Sequence, residues 1–126
     1  MDSIVHFEIP ADDTKRAQNF YSKAFGWTMN NMPEFDYTMV GTAPSNEMGT
    51  PNEPGRINGG MGKRSGPLQY PVVTVSVADI EASLKNIESL GGKTVQAKQP
   101  IGDMGFTAYF KDTEGNVVGL YQSAQM

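Results

Sequence analysis

VHFEIPADD (residues 5–13), with FYSKAFGW (residues 20–27) behind it, decides the fold, because the same unit returns as PVVTVSVAD (residues 71–79) and IESLGGKT (residues 87–94). The copies share one offset: 66 positions separate Asp13 from Asp79 and Gly26 from Gly92. At that spacing Phe7 and Ile9 fall on Val73 and Val75, and the chain's only histidine, His6, falls on Val72. A strand–helix unit repeated at a fixed period predicts two similar modules.

Each copy can be extended by its pattern. Residues 3–10 alternate, with Val5, Phe7 and Ile9 on one face and His6 and Glu8 on the other, the period of a half-buried strand. Asp12 or Asp13 is placed to cap a helix striped by Ala17, Phe20, Tyr21 and Ala24, and Gly26 to end it. Residues 27–32, 35–42 and 56–61 read as three further strands. Between the last two, APSNEMGTPNEPG (residues 43–55) is a loop long enough to be mobile or functional. Residues 62–67 form the linker.

The second module opens with a strand at residues 70–77, where Val73, Val75 and Val77 are expected on the helix side and Val72, Thr74 and Ser76 opposite. Asp79 caps a helix striped by Ile80, Leu84, Ile87 and Leu90 and stopped at Gly91-Gly92. Strands follow at 93–97, 106–111 and 117–122, the last two joined by a turn at DTEGN (residues 112–116). The prediction is a single domain over residues 1–126, α+β, with strand–helix–strand–strand–strand in each module (residues 1–62 and 68–126).

Composition narrows the function. At 126 residues the chain is long enough for a real core. A net charge of −4 without any concentration of Lys and Arg argues against nucleic-acid binding. The absence of cysteine excludes disulfides and thiolate chemistry. The first ten residues lack a secretory pattern, and no apolar run reaches the ~18 residues of a membrane span. A cytoplasmic protein without membrane attachment is expected.

VHFEIPADD, FYSKAFGW and AYFKDTEGNVVGLYQ (residues 108–122) together resemble the vicinal-oxygen-chelate superfamily, which includes glyoxalase I, bleomycin-resistance proteins and extradiol dioxygenases. The resemblance spans essentially the whole chain. It implies two βαβββ modules forming a cup-shaped mixed sheet around a ligand cavity, and a homodimer. In metal-dependent members four ligand positions converge, on the first and last strand of each module. His6 matches the first. The second falls on Asn58, Gly59 or Gly60, the third on Val72, and the fourth on Gly119, where glyoxalase-like members carry a glutamate. Valine and glycine side chains offer no donor, and tight divalent sites need three or more. No metal and no other cofactor is therefore expected.

His6 and Glu8 lie on one strand face, roughly 6.6–6.8 Å apart along it, and are the candidate catalytic pair, a histidine beside a carboxylate being a reasonable general acid or base. The same pair also reads as a hydrogen-bond network at the cavity floor. Trp27, Tyr37, Met39, Phe106, Tyr109 and Tyr121 recur on strands expected to line the cup. Tyr37, Asn58 and Tyr121 are the candidate ligand-binding residues. Three functions remain open: a small-molecule binder without a metal, a metal-independent isomerase, lyase or hydroxylase using His6 and Glu8, and a metal-dependent lyase with an unusual ligand set.

Overall fold

The computed structural model describes residues 1–124. Its elements run β1 (Ile4–Ala11), α1 (Thr14–Phe25), β2 (Thr28–Met32), β3 (Tyr37–Gly41), β4 (Gly59–Lys63), β5 (Val72–Ser76), α2 (Ile80–Ser89), β6 (Lys93–Ile101), β7 (Gly105–Lys111) and β8 (Val117–Ser123). The class is α+β, with the βαβββ sequence of elements twice over, as the repeat predicts. The chain divides into two compact units, His6–Pro71 and a second made of Met1–Val5 with the chain from Val72 onward. The N-terminal segment joins the second unit through Ser76 N–H, which donates to Ser3 O at 2.9 Å.

In the first unit β2 pairs antiparallel with β3, β3 antiparallel with β4, and β4 parallel with β1. The second unit repeats this: β6 with β7 and β7 with β8 are antiparallel, and β8 runs parallel to β5. Each is a mixed sheet with its helix as the crossover between the first strand and the rest. The caps are those the sequence indicates. Asp13 accepts from Arg16 N at 3.0 Å and Asp79 from Ala82 N at 3.2 Å, each satisfying an orphan donor at a helix start. Gly26 closes α1 in the left-handed region at φ 74°. In α2 that conformation falls on Gly91, at φ 102°, and Leu90 caps the helix. Leu90 is consequently outside the apolar stripe and exposed.

The two cores differ in kind. In the second unit Ile80 and Leu84 are buried with Val77, Ala108 and Leu120, and Val75, Ile87, Phe106 and Phe110 pack around them. Gln122 Oε1 on β8 also accepts from Ile80 N at 2.9 Å, tying the start of α2 to the sheet. In the first unit Ala11, Val40 and Met61 form a smaller buried set, surrounded by Phe7, Ala17, Tyr21, Trp27 and Met29. No residue of α1 is fully buried. That helix is also held by a polar clasp, in which Gln18 Nε2 donates at 3.1 Å to both Asn31 Oδ1 and Thr38 Oγ1.

Several expected details are corrected. Val5 and Val73, read as helix-facing, are each 44% exposed; the packing on that face begins further along, at Phe7 in β1 and Val75 in β5. Trp27 stacks on Tyr21 (centroids 5.2 Å, planes 7° apart) on the helix side, and Phe106 packs into the α2 core, so neither belongs to the opposite face. The strand read at 35–42 is preceded by a 3-10 turn at Pro33–Phe35 and starts at Tyr37, after Asp36 in the left-handed region. The strand read at 56–61 is β4 at Gly59–Lys63, because Ile57 and Asn58 are engaged by Thr42. The strand read at 93–97 continues as β6 to Ile101 through two register shifts, its Pro100 being tolerated at the end of the strand order.

The burial pattern yields a test. Met61 and Ile80 are wholly inaccessible to solvent, so truncating either to alanine is expected to cost about 2–5 kcal/mol in urea unfolding. A cost below ~1 kcal/mol at either position would contradict the packing described.

Candidate functional site

β1 places His6 and Glu8 on the face opposite α1, since Phe7 between them packs toward the helix. Beside β1 runs β4, with Phe7 opposite Gly59 and Glu8 opposite Gly60. Beyond β4 runs β3, with Met39 opposite Gly60 and Tyr37 opposite Gly62. Tyr37 is thus two strands away from Glu8, yet its hydroxyl reaches it. The phenol donates to Glu8 Oε2 at 2.8 Å, and His6 Nε2 lies 3.2 Å from the phenol oxygen, Tyr37 Oη.

Glycine makes this reach possible. A Cβ at residue 60 would fall inside the volume of the Tyr37 ring, against Oη, Cε2 and Cζ, and one at residue 62 would lie 3.3 Å from Tyr37 Cδ1. The ring rests in a trough formed by the bare backbone of Gly60 and Gly62. On the other face a Cβ at Gly59 would come within 2.5 Å of the Phe7 ring. Glycine in a strand marks such close approaches.

The network fixes the protonation pattern. A phenol has one proton, which here goes to Glu8, leaving Tyr37 Oη as the acceptor toward His6. His6 Nε2 then carries the imidazole proton and Nδ1 the lone pair, an assignment that follows from the hydrogen bonds. Among the described residues nothing hydrogen-bonds Nδ1, and no buried side-chain nitrogen or oxygen lacks a partner, so Nδ1 is open to solvent or a ligand. Burial lowers the His6 pKa below its ordinary 6.5, outweighing the Glu8 carboxylate, which pulls it up. The imidazole is therefore neutral at pH 7.

The other sequence candidates stand elsewhere. The Asn58 amide is taken up by the 43–55 loop: Oδ1 accepts from Thr42 N at 2.9 Å, and Nδ2 donates to Ser45 Oγ at 2.7 Å and Gly49 O at 3.0 Å. Asn46 holds the loop from within, accepting from Met48 N and Thr50 N. This loop is knitted by its own hydrogen bonds. Tyr121 lies in the second unit, where its hydroxyl donates to Met104 O at 2.8 Å. Two shallow grooves open on the first unit, of about 350 and 200 Å³; Tyr37 and Met61 border the smaller, and His6 and Glu8 line neither.

The repeat and the strand register together locate the ligand positions of the metal-dependent members. Glu8 sits opposite Gly60, and its repeat partner Thr74 sits opposite Gly119, so Gly60 and Gly119 are equivalent. Neither has a donor. The Tyr37 ring occupies the space at Gly60, and a Cβ at Gly119 would lie 2.8 Å from Thr74 Oγ1. Among the described residues no three His, Cys, Asp or Glu side chains gather as metal ligands. The donor set does not fit the divalent ion of those members.

Comparison with known proteins agrees with the architecture. Residues 3–43 match the family described as bleomycin resistance protein-like N-terminal. A glyoxylase-like domain-containing protein of Didymella fabae is 33% identical over 114 residues, covering 86% of this chain and 84% of that protein. The chain belongs to the glyoxalase-like proteins of the vicinal-oxygen-chelate superfamily. Among solved structures, a hypothetical protein from Bacillus halodurans C-125 superposes with a TM-score of 0.66 at 12% identity, over 99% of this chain and 96% of that one. A variant of methylmalonyl-CoA epimerase from Streptomyces coelicolor, in complex with 2-nitronate-propionyl-CoA, gives 0.65 at 15% identity, over 98% and 96%. These structural likenesses carry the fold.

Two predictions follow from the network. Tyr37→Phe keeps the ring but removes the donor to Glu8 and the acceptor for His6, and is expected to cost about 1–3 kcal/mol in urea. The lowered His6 pKa means the unfolded chain binds a proton more readily than the folded one. Its contribution to stability is complete above pH 6.5 and is lost as pH falls through the lowered folded pKa. NMR titration should give a His6 midpoint below 6.5, and His6→Gln should abolish this part of the pH dependence; a midpoint above 6.5 would contradict the burial argument.

Proposed function

We propose that this protein binds a small organic molecule on the first unit's face opposite α1, without a bound metal, using His6, Glu8 and Tyr37. The observation that carries the reading is the polar chain His6–Tyr37–Glu8, set among glycine backbone, with a histidine nitrogen left open at its end. A part-buried polar chain that stops at an open acceptor is suited to receive a hydrogen-bond donor or acidic proton of a ligand. Membership of a superfamily that includes bleomycin-resistance proteins supports the same reading. Among the described residues no helix is long and apolar enough to cross a membrane. The proposal includes a homodimer, which light scattering at micromolar concentration tests directly.

A second reading is favoured by the tautomer. A neutral imidazole with its lone pair at Nδ1, and its proton linked through a phenol to a carboxylate, is organised as a general base. This is metal-independent proton transfer, of the kind an isomerase or lyase requires.

The experiment is a thermal-shift screen of small metabolites with and without divalent ions, followed by titration of each hit. His6→Ala and Tyr37→Phe are expected to weaken binding at least ~10-fold, the loss of about 1.4 kcal/mol of interaction. Tyr121→Ala asks separately about the second unit, and a variant at Asn58 asks whether the loop contributes. Turnover that is abolished in His6→Ala but indifferent to chelator selects the catalytic reading. Unchanged affinity and turnover in folded His6→Ala and Tyr37→Phe would remove the site from this face.

A further inference from the structure

Tyr37 does more than contribute a hydroxyl. Its ring fills the one place on β4 from which a side chain would project beside Glu8, since any Cβ at residue 60 collides with the phenol itself. Its oxygen meanwhile hydrogen-bonds both His6 Nε2 and Glu8 Oε2. The position on β4 and the two atoms on β1 are what chelation would need: residue 60 stands directly opposite Glu8, and His6 shares Glu8's face two residues earlier.

We infer that Tyr37 is the specificity-determining residue of this face. Seated in the Gly60–Gly62 trough, it makes a metal-binding side chain at residue 60 and the His6–Tyr37–Glu8 hydrogen-bond chain mutually exclusive. The inference deepens the metal-free reading of the site and rests on it. The phenol converts a pair of potential ligands into a proton-linked pair that recognises an organic hydrogen-bond donor. Removing the ring and supplying a carboxylate at residue 60 should reverse the choice, because three donors (His6, Glu8 and the new carboxylate) then share one face, the minimum for firm divalent binding.

The test uses the full chain with Zn²⁺ and Ni²⁺ as probes, by calorimetry and by competition with a chromogenic chelator. Wild type, Tyr37→Ala and Gly60→Glu are each expected to bind weakly. The double variant Tyr37→Ala/Gly60→Glu is expected to bind one ion per chain at least ~10-fold more tightly, and to lose that gain when His6→Ala is added. A folded double variant that binds no better than wild type overturns the inference, as does a wild type that already binds one ion tightly through His6.

Should the double variant fail to fold, alanine replaces glutamate. Gly60→Ala alone is expected to lower the melting temperature, and Tyr37→Ala/Gly60→Ala to show little further loss beyond Tyr37→Ala, a positive coupling between the two positions. Additive effects would show that ring and residue 60 do not compete, and the inference would fall. Neither readout involves an organic ligand. Failure of the ligand screen therefore leaves the exclusion standing, and failure of the exclusion leaves ligand binding to be judged by titration alone.

Discussion

Two aromatic rings lie against the bare backbone of β4, one on each side: Phe7 over Gly59 and Tyr37 over Gly60. Most of the first unit depends on this. Phe7 leads to Trp27, 5.8 Å away, and Trp27 to Tyr21, so one ring begins the aromatic stack that helps seat α1. The other crosses the strand to gather His6 and Glu8 on the opposite face. A side chain at either glycine would push its ring away, and interiors packed at crystal-like density leave little room for it to go. The helix side and the polar side of the unit are thus set by adjacent residues of one strand.

The repeat was plain in the sequence because its signals are local and doubled. Asp13 and Asp79 cap their helices, and the glycines after each helix end it, wherever the strands go. Boundaries were harder where side chains carry no pattern. β4 reads GGMGK, and three glycines cannot alternate, so no pattern marks its start at Gly59 against Arg56 and Ile57 before it. Facing is also hard to read just after a turn, and there Trp27 packs on the helix side against Tyr21. What holds the loop at 43–55 is not legible in the sequence, because its hydrogen bonds come from asparagine side chains, Asn46 and Asn58, whose targets composition does not disclose.

His6 and Glu8 were legible as a pair, since strand alternation puts them on one face. The contact that joins them was not. Tyr37 is on β3, Glu8 is on β1, and β4 stands between, so neither sequence spacing nor nearest-neighbour pairing brings them together. The signal was present in the glycines at 60 and 62, a strand stripped of side chains in the place where a long ring has to cross. At Gly60, one of the positions where the resemblance places a metal ligand, the space belongs to the phenol.

β6 has a consequence for how the protein keeps company. It stands last in its unit's strand order, where unpaired amides and carbonyls invite another strand to add itself. Its register shifts twice, Pro100 has no amide hydrogen to offer, and Lys93 places a charge at its start. A second chain laid along this border would find a ladder with missing rungs. Crowded copies of the protein are accordingly kept from zipping into a continuous sheet along β6.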